Sequence, residues 1–400
     1  MPLRIKFASQ IFAGIAHSFA HMFVLLFATV VLVLGDEWGM TYDTLFALSI
    51  PMIILFGAGA LPAGWLGDRW SETGMLSVYF FGLGITTVLT GFADSPFTLA
   101  LGLAGIGLFA SIYHPVGIPW LIKHAPNRGR ALGINGVFGS LGTAGAALVA
   151  GAFSSWLGWR AVFFVPGIAC LATGVVFWLA VRAGAIGSAN PEPEHHSKPQ
   201  AGDMRRVFAV LAITVICSGM IYQVTSFAMP KIFEERLFDN VGESIFGIGS
   251  LVAVVYLFSG LSQIVGGELA DRYRLKTIYT LFLFLQIPFL ALAFALVHPA
   301  LVVVSTIMVS LSVAGQPAEN ALLSRYTPAA WRGRVFGAKF VLTLGVSALG
   351  VALIPLAFRA TGSLDVLFLF LVALATIAGF AALRLPGESP VPRALRVPAE

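Results

Sequence analysis

Charge is what this sequence has least of. Only 11% of its 400 residues are Asp, Glu, Lys or Arg, where a water-soluble domain carries about 25%. A chain that is 58% hydrophobic cannot cover a water-facing surface with so few charges, and this excludes an ordinary soluble enzyme or binding domain. Cysteine is scarce as well. Cys170 and Cys217 each fall inside an apolar run, which reads as two buried thiols rather than a disulfide or metal framework. No Gly-x-x-x-x-Gly-Lys-Ser/Thr loop, nucleophile elbow or His-Glu-x-x-His occurs, so neither ATP as energy source nor an enzymatic activity is expected, and no cofactor. The net charge of +5 does not indicate nucleic acid, because the basic residues lie in short loops between apolar runs rather than in one patch.

What is abundant is long apolar sequence. About twenty apolar residues cross a bilayer as a helix, and twelve such runs can be drawn. They cover roughly 8–34, 45–66, 75–92, 97–122, 131–154, 161–181, 207–230, 244–267, 277–297, 300–324, 334–358 and 364–383. The expected fold is therefore all-α and integral to the membrane, with the lipid bilayer as its surroundings. The first run is too long for a signal-peptide core and lacks a small-residue cleavage site, so it reads as a retained helix. One loop is long. Residues 184–206, with Pro191, Pro193, Pro199 and the pair His195-His196, read as a flexible, solvated linker. This divides the chain into a six-helix bundle at 1–183, a cytoplasmic linker at 184–206, a second bundle at 207–385 and a tail at 386–400. With the N-terminus inside, nineteen Lys and Arg fall on the cytoplasmic side and four, Arg160, Lys231, Arg236 and Arg359, on the other. That bias places both termini in the cytoplasm.

The two bundles repeat each other. Gly64-Trp65-Leu66-Gly67-Asp68-Arg69-Trp70 returns as Gly267-Glu268-Leu269-Ala270-Asp271-Arg272-Tyr273. His114-Pro115 aligns with Gln316-Pro317, and Arg128-Gly129-Arg130 with Arg332-Gly333-Arg334, at offsets of 203, 202 and 204 residues. Two halves of like orientation make a pseudo-twofold pair about the membrane normal. The Asp-Arg elements sit at the feet of helices 2 and 8, while the Arg-Gly-Arg turns open helices 11 and 5. A helix N-terminus carries partial positive charge, so Asp68 can cap helix 11 and Asp271 can cap helix 5 across the interface. Gly64 and Gly267 would allow the close approach.

These elements resemble the major facilitator superfamily, over nearly the whole chain. Within it, His17 and His21 of helix 1 and Tyr113-His114-Pro115 of helix 4 are similar to the fosmidomycin-resistance-type efflux proteins. The resemblance implies alternating access between two bundles, a cytoplasmic gate at Gly64, Asp68, Arg69, Arg130, Gly267, Asp271, Arg272 and Arg334, and a central cavity lined by helices 1, 4, 7 and 10. His17, His21 and His114 would stand in one wall of that cavity, and Tyr222, Gln223, Gln316, Glu319 and Asn320 in the other. Ionisable groups at bilayer depth are costly and mark function, so these residues are the expected substrate or proton site. The expected partners are a small organic solute and the proton, with the chain a monomer in the cell inner membrane.

Several readings stay open at this stage. Uptake of an organic acid, and a non-transporting membrane sensor, compete with proton-coupled efflux. Any one histidine can simply bond a neighbouring carbonyl. Three histidines can also ligate a transition metal, but no fourth ligand is visible and no metal is expected. Glu319 can carry a proton, or pair with Lys339 or Arg325. Helix 5 has glycine at 133, 136, 139, 142 and 145, a small-residue stripe expected to pack against helix 8.

Overall fold

The computed structural model describes residues 3–125, 128–186, 204–328 and 332–387. Most of the expected linker, with His195 and His196, and most of the tail lie outside the described residues. So do the side chains of Arg130 and Arg334. Among the described residues every regular element is helical, and twelve helices are long and apolar enough to cross a membrane. Eight of them are single segments: helix 1 (Leu3–Trp38), helix 3 (Glu72–Thr90), helix 5 (Arg128–Trp156), helix 6 (Ala161–Arg182), helix 7 (Met204–Leu237), helix 8 (Ile245–Arg272), helix 9 (Leu275–Ala295) and helix 12 (Asp365–Leu383).

Local sequence sets the ends of these helices. Ser71 caps helix 3 by accepting the Gly74 N–H at 3.0 Å, and Ser244 caps helix 8 by accepting that of Gly247 at 3.2 Å. Ser95 and Thr98 form a capping box ahead of helix 4, with Pro96 in its first turn. Helix 7 runs to Leu237, past Pro230. Bulk apolar content therefore under-counts its length.

The other four helices are interrupted. Helix 2 comprises Tyr42–Ala47, Ile50–Ala58 and Ala60–Arg69. Helix 4 runs Pro96–Ala110, then a π-helical turn at Tyr113–Gly117, then Ile118–His124. Pro115 explains that turn, since it has no N–H to give the preceding turn and its ring displaces the carbonyl there. Helix 10 breaks at Gly315, between Ala300–Ala314 and Gln316–Tyr326, with Pro317 immediately after. Helix 11 runs Arg332–Phe340, a π-helical stretch at Val341–Val346, and Ser347–Thr361. It ends on Gly362 in the left-handed conformation, φ 74°.

Packing in the second half repeats that of the first. Helix 1 lies on helix 5 as helix 7 lies on helix 11, helix 2 on helix 4 as 8 on 10, and helix 3 on helices 4 and 6 as 9 on 10 and 12. Between the halves, helix 5 packs on helix 8, helix 2 on helix 11, and helix 1 on helix 7. Each of these contacts is its own counterpart or the other's under exchange of the halves.

The helix 5 glycines correct one expectation. Helix 5 does pack on helix 8, but most of the stripe faces helix 1. A Cβ on Gly142 would overlap the Ser18 carbonyl, and one on Gly139 would stand 2.7 Å from the His17 ring. Only Gly136 faces helix 8, at Gln263. The helix 5–helix 8 seam is instead made at Gly151 against Gly249 and at Ser140 against Gly260. A three-residue spacing drifts round a helix of 3.6 residues per turn, so a short stripe does not choose between two neighbours.

Candidate functional site

With twelve helices crossing in turn, helix 12 ends at the same end of the bundle at which helix 1 begins. At the opposite end the two halves are joined. Arg359 Nε of helix 11 donates to Asp43 Oδ2 of helix 2 at 2.8 Å. The Tyr42 and Phe358 rings pack edge to face at 5.0 Å, and Trp156 of helix 5 lies over Phe246 of helix 8 at 4.9 Å. The Lys and Arg distribution puts Arg359 on the non-cytoplasmic side but gives no reason to pair it with a residue 316 positions away. The arginine is 64% exposed, so the pair contributes about 0–1 kcal/mol. Asp43→Asn is accordingly expected to leave the melting temperature within a few degrees. Its effect should appear as faster labelling of single cysteines placed at this end.

Three of the predicted site residues come together near the middle of helices 1 and 4. The side-chain nitrogens of His17, His21 and His114 all lie within 4.8 Å of one another. The i, i+4 spacing puts His17 and His21 on one face of helix 1, and the π-helical turn at Pro115 holds His114 beside them. His17 Nδ1–H donates to the Asn135 carbonyl at 2.6 Å. In a neutral ring this leaves Nε2 as an acceptor, 3.2 Å from His21 Nε2. The Tyr113 ring stacks on His17 at 5.0 Å, and the Tyr113 hydroxyl donates to Asn135 Oδ1 at 2.8 Å. Gly139 closes on His17 with no room for a side chain. His17 is thus fixed on several sides. His114 is buried, and its Nδ1 has no hydrogen-bond partner. Asn135 is not singled out by the sequence, and Gly139 only as a member of the helix 5 stripe; no spacing links helix 5 to a particular histidine of helix 1.

The second half reaches this cluster through Tyr222. Its ring stands 6.5 Å from that of His21, and its hydroxyl pairs with Thr143 Oγ1 of helix 5 at 3.1 Å. Gln223, next in the chain, is buried with Nε2 unpartnered.

Glu319 and Asn320 belong to a separate centre. Lys339 of helix 11 pairs with Glu319 Oε1 at 2.7 Å and donates to Asn320 Oδ1 at 2.5 Å. The Tyr279 hydroxyl of helix 9 donates to Glu319 Oε2 at 2.6 Å. Of the partners open to Glu319, the structure shows Lys339. The two centres adjoin through Phe340, whose ring is 5.2 Å from that of His114. Gln316 is half-buried at the break in helix 10.

At the end where helix 1 begins, Asp68 and Asp271 are exposed, and among the described residues neither shows a hydrogen bond or ion pair. Arg69 lies over its own helix's Trp65 at 4.7 Å, and Arg272 pairs with Glu268 one turn back. A Cβ on Gly64 would meet Pro115 of helix 4 at 3.2 Å, inside its own half, and one on Gly267 would meet nothing within 4 Å. The close approach of helix 2 to helix 11 is made by Gly57 against Gly345, about two helical turns from Gly64.

The Major Facilitator Superfamily model matches residues 11–237 and again 211–400. The chain is 30% identical over 156 residues, 38% of its length, to the tetracenomycin C resistance and export protein of Streptomyces glaucescens, of which it spans 27%. It is 23% identical over 238 residues, 57% of its length, to the 4-hydroxybenzoate transporter PcaK of Pseudomonas putida, of which it spans 50%. The chain thus spans half or less of the length of these curated relatives. In fold it is similar to a bacterial homolog of the human lysosomal transporter Spinster, solved in an inward-facing, unoccupied conformation. The TM-score is 0.74 at 16% identity, over 96% of this chain and 98% of that one. Twelve apolar helices, two halves that pack alike, and a family model that matches twice along the sequence lead to one assignment: the chain is an integral membrane protein and belongs to the Major Facilitator Superfamily.

Proposed function

We propose that the protein is a secondary active transporter that exports a small organic solute in exchange for protons, by rocking of its two six-helix halves. The observation that carries this reading is the meeting of buried and half-buried polar groups from both halves near the middle of the helices, with His21 beside Tyr222 and Tyr222 bonded to Thr143. Such groups are costly inside a membrane and belong where a polar solute passes. His17, His21 and His114 form one wall, Tyr222 and Gln223 the other. Glu319, held by Lys339 and Tyr279, is the proton-carrying group. Protonating it would free Lys339, which directly precedes Phe340 at the end of the Arg332–Phe340 segment and so couples to His114.

The Lys and Arg bias supports cytoplasmic termini. The end closed by Asp43 and Arg359 is then the outer one. Outward transport is supported by the likeness of the His17, His21 and Tyr113-His114-Pro115 pattern to fosmidomycin-resistance-type efflux proteins and by the named export protein. The 4-hydroxybenzoate transporter, matched over a longer stretch, supports a second reading in which the solute is an aromatic acid moving inward. Flux of a compound panel in proteoliposomes of known orientation, with and without a pH gradient, separates the two by direction. Absence of any flux would favour a non-transporting sensor.

Asp68 and Asp271 serve as latches that cap helices 11 and 5 when the inner side closes. Asp68→Asn is expected to lower transport at least tenfold while membrane insertion and melting temperature stay near wild type. Unchanged transport would remove the latch.

A further inference from the structure

We infer that His17, His21 and His114 form a binding site for a divalent transition-metal ion of the zinc class. Among the described residues this is the one convergence of three histidine, cysteine or acidic ligands. Four features of its geometry favour a cation over an anion or a mere hydrogen-bonded cluster.

The first is the direction of the lone pair. His17 spends its N–H on the Asn135 carbonyl at 2.6 Å, so its Nε2 offers electrons to the cluster rather than a proton. An anion site needs converging donors, whereas a metal needs this lone pair. A histidine that gives its other N–H to a backbone carbonyl is also the usual outer-shell arrangement of a metal ligand, because it fixes both tautomer and ring orientation.

The second is spacing. Two nitrogens bound tetrahedrally to one ion at 2.0–2.1 Å are about 3.3 Å apart. His17 Nε2 and His21 Nε2 are 3.2 Å apart. With His17 Nε2 the acceptor, that contact makes His21 Nε2 the donor; moving the His21 proton to Nδ1 turns both Nε2 lone pairs toward an ion lying beside the line that joins them.

The third is the third ligand. His114 is buried with Nδ1 unpartnered, and a buried polar atom left without a partner is costly, a cost that a bound ion would remove. Drawing all three nitrogens onto one ion requires separations of up to 4.8 Å to close to about 3.3 Å. His114 stands on the π-helical turn, where the backbone ladder is already broken.

The fourth is rigidity. His17 is held between Tyr113 and Gly139, so this ligand needs little ordering on binding and the contraction falls to His21 and His114. Three imidazoles suit zinc, copper, iron and nickel rather than magnesium or calcium, and they leave a coordination position for water or an oxygen atom of a bound solute.

The test uses the purified full-length protein, carrying a non-histidine affinity tag, in detergent. Cobalt(II) is titrated in and its visible d–d absorption followed. One saturable equivalent of low-symmetry cobalt, displaced by zinc, is expected. His21→Ala and His114→Ala should each weaken it about tenfold or more, while the linker variant His195→Ala/His196→Ala should leave it unchanged. Circular dichroism checks folding, and if an alanine variant is unfolded, His21→Gln reads the same loss. Absence of a saturable band would overturn the assignment, as would a band that survives the His21 and His114 changes or disappears with the linker pair. Neither readout depends on transport, so failure here leaves the transporter reading standing, and failure of transport leaves the metal site standing.

Discussion

Glu319→Ala is expected to cost about 3–5 kcal/mol of stability and to abolish transport. The cost follows from leaving one member of a buried ion pair behind. Glu319 and Lys339 side chains are 6% and 9% exposed, and removing the carboxylate strands the ammonium with only Asn320 as acceptor, while the Tyr279 hydroxyl loses its own. Lys339→Ala should be nearly as damaging by the same argument. The double variant Glu319→Gln/Lys339→Met separates the two roles. Replacing a buried pair with neutral groups of similar size is often close to neutral in stability, so its thermal unfolding in detergent should return to near wild type. Its transport should no longer respond to a pH gradient. A double variant that keeps the pH response would show that the pair only holds helices 9, 10 and 11 together.

Gly57→Val is the second large expected effect. A Cβ at Gly57 would stand 2.7 Å from the Gly345 main-chain nitrogen and closer still to its Cα. Both contacts are backbone, so no side chain can swing aside, and helices 2 and 11 must separate. This contact joins the two halves, so the substitution should block the closed arrangement and reduce transport at least tenfold, and Gly57→Ala should show the same in milder form. Gly133→Ala and Gly337→Ala are the controls. Nothing lies within 4 Å of either added Cβ, and in a helix alanine is favoured over glycine by about 0.8–1.0 kcal/mol. Both should transport normally and melt no lower than wild type. Equal effects at Gly57 and Gly133 would mean that helix propensity, not interhelical contact, controls the outcome.

Much of the fold is legible from the sequence because bilayer thickness converts apolar length directly into helix number. The repeated Asp-Arg, X-Pro and Arg-Gly-Arg patches then pair the halves. What resists reading is lateral. Helix 5 illustrates this: its glycines are visible, but whether Gly142 meets helix 1 or helix 8 depends on helix rotation, which composition does not encode. Asp43 and Arg359 show the same limit across a long sequence separation.

The candidate site divides similarly. His17 and His21 are neighbours by helix periodicity, and His114 is marked by its proline. Their convergence depends on the π-helical turn at Tyr113–Gly117, an irregularity no periodic pattern announces. Glu319 and Lys339 were both conspicuous as charges at membrane depth, yet Tyr279 looks in the sequence like any aromatic in an apolar run. The sequence points to Gly64 for the approach of helix 2 to helix 11 and to Gly267 for that of helix 8 to helix 5, because those glycines stand beside the charged motifs; the contacts fall instead at Gly57 with Gly345 and at Gly249 with Gly151. Proximity to a motif proved a weaker guide than the crossing point of the helices.

Coupled movement of solute and proton across a bilayer tests the central claim most directly. Reconstituted into liposomes that trap a pH-sensitive dye, the wild-type protein should turn an imposed gradient of its transported solute into a change of internal pH. The Glu319→Gln/Lys339→Met variant should not. A solute that crosses in a protein-dependent manner without moving protons, in wild type and variant alike, would contradict proton-coupled exchange.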